Sequence, residues 1–198
     1  MNLVLITKDN LDLALETYHK TFSWLPLDSD PYTKVINGEM KETQSRYYLV
    51  YDEENLVGLT GFYIVPEDKE SAFLGWFGVV PEMRRNHYGS KILKMHEEEL
   101  RRLGYKYSRL YTETDNNEAT RNFYERNGYT GELYNCPEEP KMMANLLCVY
   151  SKSLGNWPLP AWNSRNMHIA DEAKLMYTEE QLKNPEQLIN DAKGAKHE

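Results

Sequence analysis

The alternation of apolar and polar positions divides the chain into short strands and amphipathic helices. Asn2–Ile6 reads as a strand, and from Lys8 to Phe22 the residues Leu11, Leu15, Tyr18 and Phe22 recur at helical spacing. Asp30-Pro31 pairs an N-cap with a proline at the first helical position, which predicts a second helix to about Lys41. Arg46–Tyr51 and Leu56–Val65 form a hairpin around the polar turn Asp52–Asn55, and Ser71–Val80 is the third strand of that meander. Its interior glycines, Gly75 and Gly78, predict a bulge or a close backbone approach. Pro81 stops the strand. Ile92, Met95, Leu100 and Leu103 then mark one side of a helix over Lys91–Leu103, and Gly104 ends it. Lys106–Thr114 is a strand, parallel to its predecessor if the helix between them is a crossover. Asn116 and Asn117 cap a short helix to Asn127, Gly128 stops it, and Tyr129–Tyr134 and Ala144–Ser151 are the last strands.

Helices between strands, with an antiparallel front half, predict an α/β (α+β mixed) fold: a mixed sheet flanked by helices. The character changes at Leu154. Trp157-Pro158-Leu159-Pro160-Ala161-Trp162 cannot continue a sheet, Thr178–Gln181 is a capping box, and Asn184-Pro185 starts a further helix. The chain therefore reads as a domain over 1–153 and a Trp/Pro-rich, helical C-terminal extension over 154–198. The extension packs through Trp157 and Trp162 or serves self-association, a homodimer being the state it would build.

Length and composition narrow the function. The chain has 198 residues, 40% of them hydrophobic and 12% aromatic, which supports a real core and excludes disorder throughout. A formal charge of −8 argues against a nucleic-acid partner and is compatible with a cationic substrate. Cys136 and Cys148 belong to no CxxC or ligand cluster, so no metal is expected; they fall in neighbouring strands, where a disulfide is the alternative to the two reduced thiols expected of a cytoplasmic protein. With no signal-peptide pattern and no apolar run of membrane-spanning length, no membrane partner is expected, and the expected location is cytoplasmic.

The chemistry concentrates at Val79–Ser90. A strand ends at Val79-Val80-Pro81, a basic turn with Arg84, Arg85, Asn86 and His87 follows, and Tyr88-Gly89-Ser90 leads into a helix. The first N–H groups of a helix lack intrahelical partners and carry the positive end of its dipole, so this arrangement holds a phosphate. The bland alternatives are solvated arginines, a core tyrosine at Tyr124, and a solvated helix face at His96–Glu99.

Two segments together resemble the GNAT acetyltransferase superfamily. Its first motif is V-x-P followed by R/Q-x-x-G-x-G/A, matched by Val79-Val80-Pro81 and Arg84–Gly89. Its second is N-x-x-A-x-x-F/L-Y-x-x-x-G-F/Y, matched by Asn117 and by Phe123-Tyr124-Glu125-Arg126-Asn127-Gly128-Tyr129. The resemblance covers about Met1 to Leu154. His87 stands in place of the first motif glycine and Thr120 in place of alanine.

The resemblance implies a mostly antiparallel sheet of six to seven strands, with acetyl-CoA as cofactor. Its pyrophosphate would lie on backbone amides from Arg84 to Ser90, and its pantetheine between the strands ending at Val80 and Thr114. Backbone near Val79 would polarise the acetyl carbonyl, Asn117 would contact the cofactor, and Tyr124 would protonate the departing thiolate. The acceptor would be a small-molecule or peptide primary amine. Glu113, on the strand beside the cleft, is the candidate base, with Glu67 and Glu70 as alternatives. The competing functions are a non-catalytic acyl-CoA-binding or sensor module and a structural or dimerisation protein.

Overall fold

A computed structural model describes residues 1–25, 27–39, 44–113, 117–136 and 147–169. Its strands are β1 (Asn2–Leu5), β2 (Gln44–Asp52), β3 (Asn55–Ile64), β4 (Ser71–Val79), β5 (Tyr107–Glu113), β6 (Thr130–Leu133) and β7 (Leu147–Ser153). Its helices are α1 (Leu11–Thr21), α2 (Thr33–Ile36), α3 (Tyr88–Arg102) and α4 (Glu118–Arg126). The strands form one mixed sheet in the order β1-β2-β3-β4-β5-β7-β6. Every pairing is antiparallel except β4 with β5, as expected of a crossover through α3.

Alternation along the strands sends side chains to two helical layers. Tyr47, Leu49 and Leu59 pack with Ala14 and Tyr18 of α1 and with Phe22 just past its end. Val50 and Val57 pack under Ile92 of α3, and Tyr48 and Phe62 under Leu100. Leu74, Leu110 and Cys148 meet Tyr124 of α4 and Tyr129 beyond it. Among the described residues no helix is long and apolar enough to cross a membrane.

The second helix is shorter than its sequence signals imply. It also starts later than expected: Tyr32, not Asp30, is the N-cap and Pro31 precedes the helix, while Asp30 Oδ1 accepts from the N–H groups of Tyr32 and Thr33 at 2.8 and 2.9 Å. The helix stops at Ile36 because Gly38 takes a left-handed conformation, φ +72°, two residues on. The expected end at Lys41, the capping box at Thr178 and the helix start at Asn184 lie outside the described residues, as do Thr114 and Asn116. Cys136 and Cys148 are free and buried. Among the described residues no cluster of side chains could hold a metal ion.

One buried group makes stability depend on pH. His96 of α3 is 1% exposed; its Nδ1 meets Thr60 Oγ1 at 3.1 Å, and its Nε2 has no partner among the described residues. Burial lowers its pKa from 6.5 to about 3. The unfolded chain takes up this proton as pH falls through 6.5 while the folded protein does not, so the stability present above that pH is lost below it. Urea unfolding should show about 2 kcal/mol of loss from this group between pH 7 and pH 5. His96→Leu should remove that part of the slope; an unchanged slope would mean that other groups cause it.

Candidate cofactor cleft

The parallel pair β4–β5 stays in register only over Ser71–Phe73 and Tyr107–Arg109. β4 runs on to Val79 and β5 to Glu113 with no pairing between them. The two strands therefore part toward their C-terminal ends, and the edge groups facing each other across the gap are released from the ladder. β7 does not fill the gap, because it pairs with the far side of β5.

A bulge in β4 lies beside this opening. Leu59 pairs with Gly78 and Gly61 with Gly75, so Trp76 and Phe77 together oppose Thr60. Trp76 sits at φ +48°, an uncommon conformation for a non-glycine residue. The extra residue sends the two rings to opposite faces. Trp76 meets Tyr18 of α1 and Phe22 at its C-cap, with centroids 5.0 and 5.4 Å apart. Phe77 stacks on Phe123 of α4 at 6.0 Å. The paired glycines foresaw the irregularity; the role of Trp76 had no signal in its sequence neighbourhood.

The turn from β4 into α3 has the form of an anion cradle. Arg85 and His87 both take left-handed conformations, φ +62° and +61°. Among the described residues, the N–H groups of Arg85 through Ser90 have no backbone acceptor; Lys91 makes the first such bond, to His87. Successive free N–H groups with alternating backbone hand form a concavity that favours anions, here at the positive end of a fifteen-residue helix. The left-handed site at His87 shows why glycine is usual there: a side chain in that conformation costs about 1 kcal/mol or more. Against this turn lies a cavity of about 350 Å³, whose lining includes Val79, Arg84, Arg85, His87 and Ser90 and, from α4, Phe123.

The other residues expected at the site lie on β4, α3 and α4 or at their ends. Val80 is buried and donates its N–H to the Val57 carbonyl at 3.1 Å. Tyr88 donates its hydroxyl to Asp52 Oδ2 at 2.9 Å, anchoring the helix start to the β2–β3 turn. Asn117, the N-cap of α4, donates Nδ2 to Thr112 Oγ1 at 2.5 Å and so fastens α4 to β5. Tyr124 is 7% exposed, ringed by Phe77, Phe123, Tyr129 and Tyr150. Its hydroxyl has no hydrogen-bond partner among the described residues, and burial pushes its pKa up from 10.

Glu113 ends β5 on the face of Arg109 and Tyr111, away from Leu110, which packs with Tyr124. Of the alternative bases, Glu67 is paired with His168 at 2.8 Å and Glu70 with Lys106. Arg84 differs most from a simple reading of the turn. Its Nε donates to the Val79 carbonyl at 3.1 Å, its Nη2 to the Thr21 carbonyl at 2.9 Å, and its N–H to the Pro81 carbonyl at 3.3 Å.

The fold is shared with several solved acetyltransferases. Spermidine N-acetyltransferase from Vibrio cholerae, solved with CoA and spermine, has a TM-score of 0.59 at 14% identity, over 77% of this chain and 95% of that one. The ribosomal-protein-S18-alanine N-acetyltransferase of Escherichia coli gives 0.56 at 13% identity, over 79% and 96%. The PaiA N-acetyltransferase of Thermoplasma acidophilum, solved with coenzyme A, gives 0.51 at 16% identity, over 75% and 98%. No curated protein matches the sequence. Residues 9–129 match the sequence profile of the Acetyltransferase (GNAT) family, and the chain belongs to that family.

Proposed function

We propose that this enzyme moves an acetyl group from acetyl-CoA to a primary amine by direct attack within a ternary complex. The observation that carries the reading is the conjunction of parted strands β4 and β5 with the unpartnered N–H row of Arg85–Ser90 at the mouth of the gap. The row fits a pyrophosphate and the gap fits an extended pantetheine arm. The fit is of the residues themselves: among the described residues six adjacent N–H groups lack a backbone acceptor, and an anion satisfies them at little cost in reorganisation.

Acetyl-CoA supplies a thioester, which is already activated toward amines. The work left to the chain is alignment and proton handling. The phenol of Tyr124 holds its proton at neutral pH, since even an ordinary tyrosine titrates near 10 and burial raises its pKa further. It can therefore donate to a departing thiolate from the α4 side. A lysine-type amine has a pKa of about 10.4, so it must lose a proton to attack. Glu113 lies on the opposite face of the sheet from Tyr124, where an acceptor entering from the α1 side can reach it. Donor and base on opposite faces keep the two proton transfers apart, and backbone near Val79 is the candidate donor to the acetyl oxygen.

The test is thiol release from acetyl-CoA over a panel of polyamines, an aminoglycoside and a lysine peptide, with CoA binding measured by calorimetry. Turnover with one or more amines is expected, the acidic balance of the chain favouring a cationic acceptor. CoA binding without thiol release would support the non-catalytic module instead, and absence of CoA binding would end both readings.

A further inference from the structure

Arg84 borders the cavity at the anion cradle, but its guanidinium is committed to two backbone carbonyls. It joins the end of β4 and the turn before α3 to the C-terminal end of α1, which lies far away in sequence. Thr21 is the last residue of α1. Its carbonyl is one of the four that a helix leaves unpaired, at the negative end of the dipole, where a guanidinium is favoured. Arg84 places Nη2 on that carbonyl and Nε on the Val79 carbonyl.

Two further contacts hold the same end of α1 to the same turn. Lys20 pairs with Glu82 at 2.6 Å. Gly78 lets the helix approach so closely that a Cβ there would lie 2.4 Å from Thr21 Cγ2 and 3.0 Å from the Phe22 ring. Beyond this junction the helix and its C-cap present Tyr18 and Phe22 to Trp76, the bulge residue beside the cleft. A continuous path of contacts therefore runs from the cradle through Arg84 to α1 and on to the face opposite α4.

We infer that Arg84 is a positioning residue that couples occupancy of the phosphate cradle to the placement of α1 and of the acceptor-side rings, an inference that rests on the proposed acetyl transfer. A phosphate on the N–H groups of Arg85–Ser90 fixes the turn. A fixed turn holds the Arg84 guanidinium, and the guanidinium holds the last turn of α1. Ordering of one site then lowers the cost of ordering the other, and the coupling is reciprocal.

The experiment uses CoA as probe, with calorimetry and amide hydrogen exchange on the wild type and on Arg84→Gln. In the wild type, CoA should slow exchange over residues 17–25 by about fivefold or more. Arg84→Gln should bind CoA within about threefold of wild type and lose that protection, because a guanidinium on two carbonyls contributes no direct phosphate contact. A fall in CoA affinity of about tenfold or more would make Arg84 a phosphate ligand and overturn the inference. Protection that persists in Arg84→Gln, or is absent from a wild type that binds CoA, would overturn it too. A wild type that binds no CoA would instead remove the proposed function on which it rests. Arg84→Lys serves if the glutamine variant does not fold: it keeps the charge, but one ammonium replaces a fork that spans two elements. Its α1 protection should fall while CoA affinity holds, and full protection would overturn the coupling.

Discussion

Tyr124→Phe is expected to lower kcat about a hundredfold while leaving the Kd for CoA within about threefold. The substitution is clean for a structural reason. The Tyr124 ring contacts four other aromatic rings, and phenylalanine keeps all of those contacts. The hydroxyl has no partner among the described residues, so its removal orphans no buried donor or acceptor. Folding stability should stay within about 1 kcal/mol of wild type. What is lost is one protonated phenol at the end of a helix facing the gap between β4 and β5. An effect on kcat alone would mark a group that acts as the thiolate leaves. Equal losses in kcat and CoA affinity would make Tyr124 a binding residue, and an unchanged kcat would return it to the core. The measurements are kcat at saturating concentrations of both substrates, calorimetry with CoA, and a urea midpoint.

How much of this could be read before the fold was known depended on the range of the signal. Strand period, helix period and capping act over a few residues, and they located β2, β3, β4, α3 and α4 to within a few positions. The parallel step from β4 to β5 was legible because a helix separates two strands. The insertion of β7 between β5 and β6 was not, since adjacency in sequence predicts adjacency in the sheet and here fails. The cradle was legible as a pattern of residue types. Its left-handed geometry at Arg85 and His87 was not, although an absent glycine pointed to the position. Arg84 shows the limit most plainly. A basic residue in a phosphate-binding turn reads as a phosphate ligand. Its actual acceptor, the Thr21 carbonyl, lies sixty-three positions away in sequence, and no local rule connects a side chain to a carbonyl at that separation. Glu113 lies between these cases. Alternation assigns it to a face once the register of β5 is known, and the sequence alone left that register open.

The largest stability effect is expected from Trp162→Ala, at about 4 kcal/mol, or roughly 10 °C in Tm. The change of composition at Leu154 marks a change of backbone type, and the described part of the segment beyond it is bound tightly to the sheet. Trp162 is fully buried, packed with Tyr63, Phe73 and Val149 from three strands and with Met167 and Ile169 from its own segment. Its N–H donates to Glu132 at 2.7 Å and its indole to the Arg165 carbonyl at 2.5 Å. The ring also lies between two guanidinium groups, Arg165 at 4.0 Å and Arg109 at 5.1 Å. Arg109 is the more consequential neighbour. It is fully buried on β5, and among the described residues its hydrogen bonds go to Ser71, Ser151 and the Pro160 carbonyl, none of them charged. A buried cation whose hydrogen-bond acceptors are neutral depends on its remaining surroundings, here the nearby carboxylates of Asp68 and Glu132 and the indole face. Removing the ring opens a cavity beside that cation as well as deleting apolar contacts, so the loss should exceed the simple transfer cost. Trp157→Ala is the control. Trp157 is 50% exposed, with Lys106 over its ring at 4.9 Å, and its replacement should cost under about 1 kcal/mol. Urea unfolding of the two variants at pH 7.5, above the His96 transition, separates the cases. Similar small losses in both would mean that residues 157–169 merely lie on the sheet. A loss confined to Trp162 would mean that β5, the strand bordering the cleft, relies on them for its core.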